Sequence, residues 1–194
     1  MGNESSKAGA KKGSLDQHLR TAAKTGVVNL SNRKMEKIPK DLLSFSNLRT
    51  LDISNNKLIS IDPLKVLGNL TKINASGNNL VRVDLGTFHK LKTAELANNQ
   101  ISAIIRLPEK ITTLDISSNE LISIPDAVTT NSSLTSIDIS RNKLTKLNSK
   151  LPESLVELNL NDNQLNSLQG NYLSADLAPA LKILRLNNNC LKRG

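Results

Sequence analysis

Two groups of residues in this chain could do chemistry. The first is the start, Met1-Gly2-Asn3-Glu4-Ser5-Ser6-Lys7. Once Met1 is removed, Gly2 presents an α-amine that can accept an acyl chain and that a side chain would obstruct. Ser6 supplies the small hydroxyl of the M-G-x-x-x-[ST] pattern for N-myristoylation, and Lys7 adds the basic residue favoured after it. The second group is a periodic column of acids, Asp52, Glu95, Asp115 and Asp138, in a chain of net charge +9. Such a column suits a basic peptide or a Lys/Arg-rich partner surface. The competing reading is that Asp and Asn are ordinary filler there, solvated and neutral in effect. Catalytic arrangements are wanting. His18 and His89 are the two histidines, and no phosphate loop, Cys/His ligand spacing or nucleophile elbow occurs. The expectation is a protein without enzymatic activity, cofactor or metal.

Both groups ride on a repeated spacing: apolar, two residues, apolar, one, apolar, two, Asn, one, apolar. Complete copies begin at Leu48, Leu70, Leu91, Ile111, Leu134, Leu155 and Leu181, after a worn copy from Gly26 to Pro39. The Asn recurs at Asn56, Asn78, Asn99, Asn119, Asn142, Asn163 and Asn189, at intervals of 22, 21, 20, 23, 21 and 26 residues. This is the leucine-rich-repeat signature. Alternation such as Leu51/Ile53 predicts a strand with one buried face. The Asn carries both amide donors and a carbonyl acceptor, so it can satisfy backbone groups of the turn and of the next coil. It is read as a structural ladder. The residue between the paired strand apolars runs Asn29, Asp52, Asn74, Glu95, Asp115, Asp138, Asn159, Arg185, which puts the acids on the concave face. Ile38-Pro39 and Ile124-Pro125 suit extended or short 3₁₀ returns on the convex side. The predicted fold is an α/β repeat, a right-handed curved solenoid with parallel strands inside and mostly 3₁₀ or irregular segments outside. No long helix is expected beyond residue 26, and a longer excursion runs from Gln169 to Ala180.

Composition sets the remaining bounds. The expected organisation is a flexible basic leader over 1–13, a capping helix over 14–25 and a solenoid of about eight repeats over 26–194. Ser14 and Gln17 form a capping-box pair, and Leu15, Leu19, Ala22 and Ala23 share a helical face. Of the net charge, residues 1–25 carry +3 and the rest carries +6. That excess is spread out, as on a solvated surface. Aromatic residues make up 2%, which argues against base stacking and hence against nucleic-acid binding. A lone Cys190, with no signal-peptide run, points to a reducing, intracellular setting. Asn-x-Ser/Thr triplets at Asn3, Asn29, Asn69, Asn74 and Asn131 are read as chance. One myristoyl chain binds membranes only marginally, and Lys7, Lys11 and Lys12 are the candidates for contact with an anionic leaflet.

The start at Met1-Gly2-Asn3, the segment Lys24-Thr25-Gly26-Val27 and the repeats from Asn47 to Lys57 and Leu181 to Leu186 resemble the short, N-myristoylated members of the leucine-rich-repeat family. The resemblance implies lipidation at Gly2, membrane association, protein binding and no reaction. Family members continue past the point where this chain stops, at Asn189-Cys190-Leu191-Lys192-Arg193-Gly194, so the last repeat is expected to be incomplete. The leading expectation is a monomeric scaffold or adaptor that docks a protein on its concave face. It would be held peripherally and reversibly at the cytoplasmic face of a membrane and also occur in the cytosol. The runner-up is a soluble regulatory subunit of an enzyme such as a protein phosphatase.

Overall fold

Each copy of the repeat opens with a three-residue strand whose middle side chain is apolar. The computed structural model describes residues 24–147, 150–167 and 178–191. Among these, eight strands form one parallel sheet: β1 (Val27–Asn29), β2 (Thr50–Asp52), β3 (Lys72–Asn74), β5 (Thr93–Glu95), β7 (Thr113–Asp115), β8 (Ser136–Asp138), β9 (Glu157–Asn159) and β10 (Ile183–Arg185). Val28, Leu51, Ile73, Ala94, Leu114, Ile137, Leu158 and Leu184 lie side by side in its register. From Val28 to Leu158 these side chains are buried in one continuous core with Leu48, Leu58 and Ile61. A single coil has no second layer of its own, so its neighbours supply the cover. Each fully buried side chain contributes roughly 1.5–3 kcal/mol before entropy.

The ladder residues fasten each coil to the one before it. Asn119 Nδ2 donates to Ile116 O at 3.1 Å and Ser117 O at 3.0 Å in its own turn. The same nitrogen donates to Leu96 O at 3.1 Å, while Oδ1 accepts from Ile101 N at 2.8 Å. Leu96 and Ile101 belong to the preceding coil, where the repeat pattern had suggested the next one. The direction explains the worn first copy. Its ladder site holds Arg33, and among the described residues no repeat coil precedes it. Asn56 Oδ1 instead accepts from both Arg33 N and Met35 N.

The residue before every ladder Asn has positive φ: Asn55, Gly77, Asn98, Ser118, Arg141, Asp162 and Asn188. At Gly77 a Cβ would come within 2.4 Å of Asn55 Oδ1. Elsewhere a side chain is accommodated at a conformational cost.

On the other side of the coils, 3₁₀ turns span Lys40–Ser44 and Asp62–Val66, and a one-turn helix spans Asp126–Thr129. Each begins at or beside a proline (Pro39, Pro63, Pro125), whose fixed φ suits a helical start. A second parallel pair, β4 (Arg82–Val83) with β6 (Ala103–Ile104), was not expected from the pattern. It forms where β-branched residues cluster in neighbouring coils. The leader over 1–13 and most of the helix assigned to 14–25 lie outside the described residues. Lys24 and Thr25, at its end, are helical. Most of the Gln169–Ala180 excursion also lies outside. In the coil of β10, Leu181, Leu184 and Leu186 are only half-buried.

Candidate binding surface

The concave column forms as the spacing implied. Asn29, Asp52, Asn74, Glu95, Asp115, Asp138, Asn159 and Arg185 are successive partners in the sheet register. Adjacent strands lie about 4.8 Å apart. Asp52, Glu95, Asp115 and Asp138 are half-buried.

These side chains have a local task that the spacing alone did not announce. Asp52, Asp115 and Asp138 each turn Oδ1 back to accept the backbone N–H two residues on, from Ser54, Ser117 and Ser140 at 2.8–2.9 Å. Asn29, Asn74 and Asn159 do the same for Ser31, Ser76 and Asn161. This is an Asx turn, and it asks only for an acceptor oxygen. Asp and Asn therefore interchange along the column. The missed signal was Asp or Asn as the last residue of the strand, two residues ahead of a Ser or Asn.

The outer oxygens are only partly free. Asp52 Oδ2 accepts from Asn29 Nδ2 at 3.2 Å, and Asp138 Oδ2 from Asn159 Nδ2 at 2.8 Å. Glu95 pairs with Lys72 at 2.6 Å across the strands. Arg185 pairs with Glu157 in the same diagonal arrangement with signs reversed. Lys72 thus offsets the charge of Glu95 from within the chain. Asp52, Asp115 and Asp138 have no ion-pair partner among the described residues, and Asp115 and Asp138 are neighbours in register.

Gly2, Ser6, Lys7, Lys11 and Lys12 lie outside the described residues, as does His18. His89 and Cys190 are exposed. Among the described residues no three of His, Cys, Asp and Glu are grouped to hold a metal ion. No described helix is long and apolar enough to cross a membrane. Of the Asn-x-Ser/Thr sites, Asn29 and Asn74 lie in strands, and Asn131 is buried, donating to Pro108 O. The most regular polar site away from the sheet is Asp84. Its Oδ1 accepts from Gly86 N at 3.1 Å, and Arg106 clamps its carboxylate through Nε at 3.1 Å and Nη2 at 2.6 Å. The guanidinium holds the Asp84 carboxyl below its usual range, helped by the Gly86 N–H and opposed by desolvation. Beside it an open groove of about 580 Å³ runs past His89, Arg106, Glu109 and Asp126. It opens where the shortest repeat, 20 residues from Asn99 to Asn119, has little chain to place outside the core.

The family model for leucine-rich repeats in two copies matches residues 46–88. This is a leucine-rich-repeat protein. The leucine-rich-repeat chain is 31% identical over 137 residues to the oligodendrocyte-myelin glycoprotein of Homo sapiens, covering 68% of this chain and 30% of that protein. It is 32% identical over 151 residues to Tsukushi of Xenopus tropicalis, covering 70% of this chain and 42% of that protein. With keratocan of Danio rerio it shares 30% over 188 residues, covering 86% and 53%. The chain thus spans between about a third and a half of these relatives. Among solved structures, a leucine-rich-repeat protein of Leptospira interrogans superposes with a TM-score of 0.73 at 24% identity, covering 91% of this chain and 52% of that one. An internalin of Listeria monocytogenes gives 0.71 at 22%, covering 86% and 48%. Both likenesses concern the fold.

Proposed function

We propose that this leucine-rich-repeat protein is a scaffold that docks a protein partner with a basic surface on the concave sheet, and that Gly2 carries a myristoyl chain that tethers it reversibly to a membrane. The fold itself suggests protein–protein interaction. The observation that carries the docking reading is the state of Asp115 and Asp138. Each carboxylate is fixed in direction by its bond to Ser117 N or Ser140 N, and the two are neighbours in register. An acceptor held in place needs little reorganisation to meet a cation, and complementary charge acts chiefly on association rate and specificity. The tether rests on the Met1-to-Lys7 motif and on Lys7, Lys11 and Lys12 beside it. The weak hold of a single acyl chain makes the proposed attachment peripheral and reversible, with a pool off the membrane.

The docking test uses a partner recovered by proximity labelling. Changing Asp115 and Asp138 together to Asn keeps the Asx turns and removes two charges. Association should slow, and its dependence on salt should flatten. Equal binding at every salt concentration would rule this column out as the interface. For the tether, intact mass after co-expression with an N-myristoyltransferase should show the acyl chain. Gly2→Ala should move the protein to the soluble fraction of cells. Wild-type partitioning of Gly2→Ala would exclude this route.

A further inference from the structure

We infer that one lateral flank of the solenoid is itself a contact face for an anionic lipid surface, acting beside the acyl chain. Three residues beyond the ladder Asn, each coil presents a side chain to solvent. The column runs Glu36, Ile59, Val81, Ser102, Ile122, Thr145, as fixed by the bonds Lys57 N to Met35 O, Asn79 N to Leu58 O, Gln100 N to Leu80 O, Glu120 N to Ile101 O and Lys143 N to Leu121 O. Ile59 is 72% exposed, Ile122 69% and Val81 46%. Single exposed aliphatic side chains are ordinary. These three share one column within a span of about 15 Å, at the strand-to-strand spacing. Local β-propensity accounts for Val81, which adjoins β4. It does not account for Ile59 or Ile122, which flank no second-sheet strand.

The charges around the column supply the identity of the occupant. Lys34 and Lys57 stand two residues before it in their coils, and Lys37, Arg82 and Lys146 stand one residue after it. All five are exposed, and none has an ion-pair partner among the described residues. Glu120 is taken up by Lys143, which leaves Glu36 as the unpaired carboxylate of the strip. Aliphatic side chains ringed by cations match an anionic headgroup layer over an acyl boundary: the apolar groups enter the boundary, and each nearby Lys or Arg gains from the surface potential. The concave column carries the opposite charge and faces elsewhere, so a chain lying on this flank keeps its sheet open.

The inference deepens the tether reading, and its test contains no acyl chain, so either can fail alone. Unacylated full-length protein is sedimented with vesicles of phosphatidylcholine alone, or with about one part in three of phosphatidylserine. Binding should require phosphatidylserine and fall as salt rises. Ile59→Ser with Ile122→Ser should lower partitioning about tenfold. Lys57, Arg82 and Lys146 changed together to Ala should lower it at least about tenfold. Both variants alter exposed side chains, and circular dichroism should show them folded. Protein that stays in the supernatant would overturn the inference. Phosphatidylserine binding that the isoleucine variant keeps in full would overturn it too, since that is how a flank built for acidic proteins behaves. Loss of membrane attachment in Gly2→Ala cells, by contrast, reads acylation alone.

Discussion

Asp115 and Asn119 stand four residues apart in one coil, and their side chains differ by one oxygen for one amide nitrogen. Asn119 is 5% exposed and uses both ends of its amide, three carbonyls on Nδ2 and one N–H on Oδ1. Asp115 is half-buried and uses one oxygen, for the N–H of Ser117. The ladder column therefore admits one residue type in every coil it serves. The concave column holds Asp or Asn where it makes the Asx turn, Glu at position 95 and Arg at position 185, and can carry charge. The same contrast explains why the protein varies its concave face from coil to coil without disturbing the stack.

Deletions should separate the columns by size of effect. Asn119→Ala strands the buried Ile101 N–H and leaves Leu96 O, Ile116 O and Ser117 O with one donor each, and should lower stability by about 1–3 kcal/mol in chemical denaturation. Asp115→Ala loses one partly solvated bond and should cost about 0.5–1.5 kcal/mol. Asp84 offers a third case, the same Asx bond with a guanidinium added on the far side of the coil. Its folded-state pKa lies below the ordinary value of 3.8, so its contribution is present above that pH and lost as pH falls through the folded value. Melting temperature should thus drop on acidification below about pH 4, and less steeply in Asp84→Asn. The smallest effect belongs to the residue before the ladder. Ser118 has φ of 54°, and Ser118→Gly should raise stability by at most about 1 kcal/mol, relief of strain being offset by the flexibility of glycine.

The sheet, its register and the Asn ladder were legible because period two and the recurring Asn express burial directly. The composition of the concave column was legible for the same reason, since register follows from repeat alignment. The bonds that use its inner oxygens were not, because one acceptor bond leaves Asp and Asn equally acceptable and so no distinctive pattern. Lys72 as the partner of Glu95 is a diagonal contact between coils, invisible to column-by-column reading. The β4–β6 pair depended on how far the convex segments splay, which repeat length hints at without fixing. The lateral strip needed solvent exposure: in the sequence Ile59 and Ile122 look like core residues beside Leu58 and Leu121.

Exchanging the chemistry of the two columns by a single atom tests this division most directly. Asn119→Asp and Asp115→Asn are isosteric, lie in the same coil and can be melted side by side. Asn119→Asp removes every amide donor and sets a carboxylate among carbonyls, so it should cost at least about 3 kcal/mol or prevent folding. Asp115→Asn keeps its acceptor and should fall within about 0.5 kcal/mol of the wild type. Two variants with comparable losses, or an Asn119→Asp protein as stable as the parent, would contradict the account.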